Sequence, residues 1–422
     1  MKLVITHPTG NQNVRAATLG LAEAGIASCF HTTIASFPGD RVDRLSDIKL
    51  FSILKRRSFE PEIKNITETW PWMEYGRLIS SKAGLRKLIE HEHGPFSIEA
   101  VYRSLDRRVA RTLRQLTARG VTGVYAYEDG AKYSFRKAKK LGLACLYDLP
   151  VGYWRAGKAI FEKEKERWPA WAATLTGLLD SPEKLMNKDK EIRLADRIFV
   201  ASEFTARTLR LFPGTLPPVH VVPYGFPTVL KSRVYPSIQS GRPLKLLFVG
   251  GLTQRKGITY LFKAAEALKP FVTLTLVGNK PNQECPALNA ELARHHWIRS
   301  LPHSEVLKLM QCHDVLVFPS LFEGFGLVIT EAMSQGTPVI TTDRTAGPDL
   351  IKHGNNGWII EAGSAESIQA VLEDILCNRR VVAEVGHAAS EAASERPWKM
   401  YGQELAATIR NEVPVHTMKY ER

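Results

Sequence analysis

Residues 318–342, FPSLFEGFGLVITEAMSQGTPVITT, leave the chain few ways to fold. A short apolar strand from Asp314 to Phe318 runs into a glycine-punctuated loop, Glu323-Gly324-Phe325-Gly326, and then into a helix with Glu331 in its first turns. After Gly336 a second strand, Pro338 to Thr341, completes a strand, loop, helix, strand unit. Gly324 and Gly326 allow the backbone to approach a ligand closely. The amides of Gly326, Leu327 and Val328 open the helix without intrahelical acceptors, and with the helix dipole they suit a phosphate. Two carboxylates would weaken such a site if they faced the anion. They fit it if they hold hydroxyls, as on a sugar and a ribose.

A chain of 422 residues is too long for one core, so two domains of roughly 200 residues are expected. Its 44% hydrophobic and 24% charged content is that of a soluble globular protein. No apolar run approaches the ~20 residues of a membrane span. The opening MKLVITHPTG reads as a first buried strand rather than a signal peptide, which leads to a cytoplasmic location as the expectation. Cys29, Cys145, Cys285, Cys312 and Cys377 stand far apart in no metal-ligand spacing, so reduced and mostly buried thiols are expected and no metal site. The net charge of +14 is lopsided. Residues 236–422 balance 19 Lys/Arg against 19 Asp/Glu, so the whole excess lies in residues 1–235. A basic half beside a neutral half points to an anionic partner such as a membrane surface, a charged acceptor or nucleic acid.

Taken in order, Met1 to Thr6 is a strand, HPTGNQN a loop and Val14 to Ala24 a helix, an α/β opening without GxGxxG. The region from Arg41 to Pro95 is irregular, with KRR at Lys55 to Arg57 and the cluster Trp70, Trp72, Met73 and Tyr75; it is either a membrane- or acceptor-facing surface or a core cluster beside a solvated charge run. Ile98 to Arg119 is a long helix whose Arg103, Arg107, Arg111 and Arg114 form one basic stripe. Strands at Val121 to Ala126 and Leu143 to Tyr147 end in Tyr127-Glu128-Asp129-Gly130 and Asp148-Leu149-Pro150, at the strand ends where open α/β sheets bind ligands. A charged helical run spans Glu162 to Arg197, and a strand follows to the candidate cap Ser202. The aperiodic stretch from Pro227 to Pro243 coincides with the charge step and reads as the linker, dividing the chain into domains 1–235 and 236–397.

The second domain opens with a strand, Leu244 to Val249, then GGLTQRKG and a helix from Ile258 to Leu268. Arg255 and Lys256 lie in that loop beside glycines, placed either to clamp a diphosphate or simply at the surface. A strand at Val272 to Val277, an extended turn at Trp297 to Pro302 and a helix from Ser304 to Cys312, with Ser304 as its cap, lead to the central unit. A strand in HGNNGWII and helices at Ser364 to Asn378 and Met400 to Asn411 follow.

With GGLTQRKG, EGFGLVITE, the following AMSQGTPVI and GNNGWII in this order, the second half resembles glycosyltransferase family 4, retaining enzymes of the GT-B fold. The resemblance is strong over about residues 244–360 and architectural elsewhere. It implies two Rossmann-like domains facing across a cleft, with the C-terminal helix of residues 398–422 crossing back to the first domain. The second domain would hold a nucleotide-diphosphate sugar, UDP- or GDP-linked, and the first a glycan, polysaccharide or lipid-linked acceptor. In that arrangement Glu331 holds the ribose, Glu323 lies near the transferred sugar, and Arg255 and Lys256 neutralise the diphosphate. The amides from Gly326 to Val328 complete the cradle, and the base lies against backbone near Leu301 and Pro302. Fixed cations and amides aimed at the departing pyrophosphate lower its barrier, so no metal and no further cofactor are implied. The chain departs from the family pattern at Gly251, where an arginine is common, leaving Arg255 as the second cation. It also lacks the histidine found at the ends of first-domain strands in many relatives. Glu128, Asp129 and Asp148 are the replacements to consider, Asp129 first because Gly130 frees its loop; each could equally cap the next helix.

The reading that follows is a retaining hexosyltransferase in the cytoplasm, with peripheral attachment to the inner face of the membrane as an extension drawn from the basic first domain. Against a sugar-nucleotide epimerase or a phosphorylase on the same plan stand the absence of a recognisable pyridoxal-phosphate lysine motif and the matched RKG and glutamate motifs. A basic nucleic-acid-binding protein lacks helix-turn-helix, zinc and RNA-binding signatures.

Overall fold

The computed structural model describes residues 1–40, 57–235, 241–281 and 284–410. Strands read from apolar runs are buried on both faces, as parallel strands covered by helices must be. The first sheet holds β1 (Leu3–Thr6), β2 (Ala27–Thr32), β3 (Thr67–Thr69), β4 (Gly123–Tyr127), β5 (Ala144–Leu149), β6 (Arg197–Val200) and β7 (Val219–Val221), in the order β3-β2-β1-β4-β5-β6-β7. The second holds β8 (Leu244–Val249), β9 (Val272–Val277), β10 (His296–Ile298), β11 (Val315–Phe318), β12 (Val339–Thr342) and β13 (Trp358–Ile360), in the order β10-β9-β8-β11-β12-β13. All the described pairings are parallel. Each sheet reverses direction of growth once, between β1 and β4 in the first and between β8 and β11 in the second. Loops leaving the carboxyl ends of strands at such a reversal diverge and open a crevice. Each domain has its own core, one around Leu246, Phe248, Leu316 and Ile340, the other around Leu3, Ile5, Tyr125 and Phe199.

Two segments tie the domains together. The helix Trp398–Arg410 lies on the helix Gln12–Glu23, where a Cβ on Gly20 would sit 2.5 Å from the Gly402 backbone. Its Tyr401, Leu405 and Ile409 enter the first core. The second is the connection between β5 and β6, whose Trp171 is buried in the second domain's core and whose Trp168 indole donates to Tyr260 Oη at 3.0 Å.

Several elements differ from expectation. The charged helical run expected from Glu162 to Arg197 falls in two helices, Trp154–Arg167 and Pro182–Leu194, parted by 3-10 turns that start at Pro169. A proline lacks the amide that a helix interior needs. The extended turn expected at Trp297 is strand β10, three residues long and paired to β9. Ser304 does not cap its helix; that helix is His303–Gln311, with Pro302 at the N-cap and Ser304 inside the first turn. Ser202 does cap the helix Glu203–Thr208, accepting from Thr205 N–H at 3.1 Å. Arg103, Arg107, Arg111 and Arg114 of the helix Ile98–Ala118 are exposed, and three of the five cysteines are buried while Cys312 and Cys377 are not. The expected basic residues Lys55 and Arg56, part of the linker and residues 411–422 lie outside the described residues.

Candidate active site

The carboxyl ends of β1, β4 and β5 face those of β8 and β11 across a cavity of about 470 Å³. From the second domain it is lined by Gly250, Lys256, Phe318 and the run Glu323 to Val328; from the first, by His7, Asn13, Tyr102, Tyr127 and Tyr224 among others.

The loop after β11 is locked in place by the first domain. Gly324 passes so close to it that a Cβ there would stand 1.8 Å from Pro150 O. Gly324 O accepts from Ser202 Oγ at 2.5 Å and Thr205 Oγ1 at 2.9 Å. Phe322 sits edge-on between Phe161 and Phe204, 5.6 Å from each. The RKG loop is fixed in a similar way, since buried Gln254 donates to Glu164 of the first domain at 2.7 Å.

These two loops meet at Glu323. Its carboxylate is 8% exposed and pairs with Arg255 at 2.8 Å and with Lys256. Burial alone would favour the neutral acid, but the two cations outweigh it and hold the Glu323 carboxyl below its ordinary range. Lys256 shows the reverse balance: burial, assisted by Arg255, pulls its ammonium down to about 8 despite Glu323. Lys256 is therefore a cation on the edge of titrating, ready to gain from a second anion. Beyond Glu323, Gly326 adopts φ +90° as the N-cap of the helix Leu327–Ser334. Ile329 N–H bonds Gly326 O at 2.9 Å, while the amides of Leu327 and Val328 open this helix where it lines the cavity.

The first-domain wall is aromatic and uncharged. His7 packs edge-on against Tyr127, with ring centroids 4.7 Å apart, and its Nδ1 lies 2.6 Å from Thr9 O. Burial, with Arg57 nearby, lowers its pKa to about 4 although the Thr9 carbonyl opposes this, so His7 is neutral at neutral pH. Tyr127 is 2% exposed, and its hydroxyl has no hydrogen-bond partner among the described residues. Asn13 Nδ2 donates to Tyr224 Oη at 3.1 Å.

The structure thus brings together Lys256, Glu323, Gly324, Phe325, Gly326, Leu327 and Val328 on the cavity, with Arg255 just behind Glu323. Gly251 lies in open space where a Cβ would meet nothing within 4 Å. Glu331 sits further along the same helix, 3.0 Å from His303 Nε2, which raises the His303 pKa; Leu301 precedes that histidine and packs partly buried against the second core. The three first-domain carboxylates do not line the cavity. Asp129 lines a separate cavity, shared with Glu99, Arg103 and Asp106, and faces Lys188 at 3.7 Å. Glu128 is paired with the same lysine at 3.1 Å, and Asp148 accepts from Tyr125 Oη at 2.6 Å, with burial raising its pKa to about 7. Instead, His7, Asn13, Tyr102 and Tyr224 occupy the wall. His7 was within reach of sequence reasoning, since it directly follows β1 and the strand-end argument applies to it equally. Tyr102, on the helix Ile98–Ala118, has no such local signal.

The two facing Rossmann-like domains form the GT-B architecture. The solved structures of a sucrose-phosphate synthase from Thermosynechococcus elongatus and of Anabaena HepE in complex with UDP share it, each with a TM-score of 0.62. They are 18% and 17% identical to this chain, covering 98% and 97% of it and 99% and 100% of themselves. Residues 236–396, which make up the second domain, match the family described as Glycosyl transferases group 1. An alpha-maltose-1-phosphate synthase of Mycolicibacterium smegmatis is 28% identical over 207 residues, 43% of this chain and 53% of that protein, so the chain spans about half of that relative. A glycogen synthase of Mycobacterium tuberculosis is 25% identical over 296 residues, 67% of each chain.

Proposed function

We propose that this chain is a retaining glycosyltransferase of family 4 that moves a sugar from a UDP- or GDP-linked donor to a hydroxyl of a glycan or lipid-linked acceptor, without a metal. The observation that carries the reading is the Glu323 carboxylate held by Arg255 and Lys256 beside the open amides of the helix Leu327–Ser334. An entering diphosphate gives Lys256 a second anionic partner and draws its pKa up from about 8. The positive charge then sits where pyrophosphate charge grows as the anomeric bond breaks. Glu323 orients sugar hydroxyls, and Glu331, released from His303, takes the ribose.

Glu323 is the one carboxylate on the cavity among the described residues. Its charge is already engaged by two cations, which weakens it as a nucleophile. We therefore favour departure of the leaving group and attack of the acceptor on the same face of the sugar, the nucleotide phosphate accepting the proton. His7, neutral at working pH, and the Tyr127 hydroxyl supply uncharged polar contacts to sugar hydroxyls on the first-domain wall. A transfer assay with candidate UDP- and GDP-sugars tests the assignment. Glu323→Ala and Lys256→Ala are expected to abolish transfer while the fold persists, and Glu331→Ala to raise the donor KM. Undiminished transfer in all three would overturn it.

A further inference from the structure

The helix Trp72–Lys82 is built inside out. At 3.6 residues per turn, Trp72, Tyr75 and Ile79 fall within an arc of about 60°. That arc faces solvent: Trp72 is 65% exposed, Ile79 66% and Tyr75 41%, and Leu85 just beyond the helix is 50% exposed. The buried positions are polar, Glu74 and Ser80. Glu74 is fully buried, and it accepts from Arg77 at 2.7 Å and from buried Arg57. A surface helix ordinarily turns its apolar stripe to the core and its charges to water. Here the core side is satisfied by an ion-pair network, and the apolar stripe is left for something outside the described chain to cover.

Charge identifies the occupant. Between residues 70 and 89 the only acid is the buried Glu74, whereas Arg86 and Lys87 stand exposed at the end of the stripe. The helix Ile98–Ala118, which packs against this one, adds exposed Arg103, Arg107, Arg111 and Arg114. The whole net excess of +14 belongs to this half of the chain. Tryptophan, tyrosine and isoleucine on one face with lysine and arginine at its border match a headgroup and acyl boundary carrying negative charge.

We propose that the Trp72, Tyr75 and Ile79 stripe, bordered by Arg86 and Lys87, docks the first domain on an anionic lipid bilayer. The placement relative to the cavity is direct. Glu74 holds Arg57, and Arg57 Nη1 donates to Pro8 O at 3.2 Å, the residue after cavity-lining His7. The docked helix therefore braces the loop that walls the acceptor side. This docking stands independently of the transfer reaction proposed above.

The test is co-sedimentation of the full chain with vesicles of phosphatidylcholine alone or mixed with phosphatidylglycerol, at low and high salt. Wild-type protein is expected to bind the mixed vesicles and to release as salt shortens the screening length. The variant Trp72→Ser/Tyr75→Ser/Ile79→Ser is expected to lose at least about ten-fold in partitioning, because interfacial binding scales with the apolar area inserted. Arg86→Glu/Lys87→Glu is expected to lose the preference for phosphatidylglycerol. Light scattering and thermal melting of the same variants separate other occupants. If the triple variant instead converts a dimer to a monomer, or melts several degrees lower, the stripe is covered by a second copy or by this chain itself, and the proposal fails. Equal sedimentation of wild type and triple variant, or none with either vesicle, also overturns it.

Discussion

Replacing Gly324 with alanine should separate the two halves of the active site. The new Cβ would stand 1.8 Å from Pro150 O, 2.7 Å from Pro150 C and 2.8 Å from Val151 Cα, all backbone atoms that no rotamer change can move. Relief requires the loop to withdraw by more than about 1 Å before it reaches ordinary contact distance. Withdrawal stretches the bonds from Ser202 and Thr205 to Gly324 O, and it shifts Glu323 relative to Arg255 and Lys256. Overpacking of this kind costs about 1–3 kcal/mol, and a displacement near 1 Å at a reacting centre costs about 100-fold in rate. Thermal melting and the transfer rate constant of Gly324→Ala read the two effects. Gly251→Ala, where a Cβ meets nothing within 4 Å, is the control and should melt as the wild type does. A Gly324→Ala protein with wild-type melting and turnover would refute the reasoning, because the loop could not then touch Pro150 in the reacting state.

Lys256 gives the site a basic limit: since its pKa in the free protein is about 8, the affinity for a nucleoside diphosphate should fall roughly ten-fold per pH unit above that point. Calorimetric titration across pH 7 to 10 would check it, and a flat profile there would remove Lys256 from the phosphate contact. His7 gives the fold an acid limit, because its pKa falls from 6.5 when exposed to about 4 when folded. The unfolded chain therefore binds the proton first, and stability present above pH 6.5 is lost as pH falls towards 4, by about 3 kcal/mol from this one group. Urea unfolding of His7→Gln against wild type should show a shallower loss over that window, and identical curves would contradict it.

The second domain was legible because its central strands are mostly apolar and bounded by glycine loops, with only Lys245 and Thr273 of β8 and β9 turned to solvent. β8 and β9 lie where the residues indicated, and the motif loops meet on one cavity. The first domain was harder to read. β2 and β3 and the helix Trp72–Lys82 follow no period that sequence alone resolves, and the helix is inverted, so its pattern argues against its own burial. Asp129 stands first for its place after β4, but Lys188 from a helix distant in sequence pairs with both Glu128 and Asp129, and Asp129 lines a separate cavity. Nothing local to residues 127–130 encodes that lysine's position. The aromatic wall of Tyr102, Tyr127 and Tyr224 comes from three separate elements and exists only once the first sheet has formed.

The proposed function depends above all on Lys256, Arg255 and the amides of the helix Leu327–Ser334 binding the diphosphate of a nucleotide sugar. The most direct test is the thermal shift of wild-type protein and Lys256→Ala with UDP, GDP, ADP and their sugars. Ligand at one hundred times its Kd stabilises the native state by about 2.7 kcal/mol. At least one diphosphate should raise the wild-type melting temperature by several degrees and leave Lys256→Ala nearly unmoved. A wild-type protein that no nucleoside diphosphate stabilises, or a Lys256→Ala variant stabilised to the same extent, would contradict the claim.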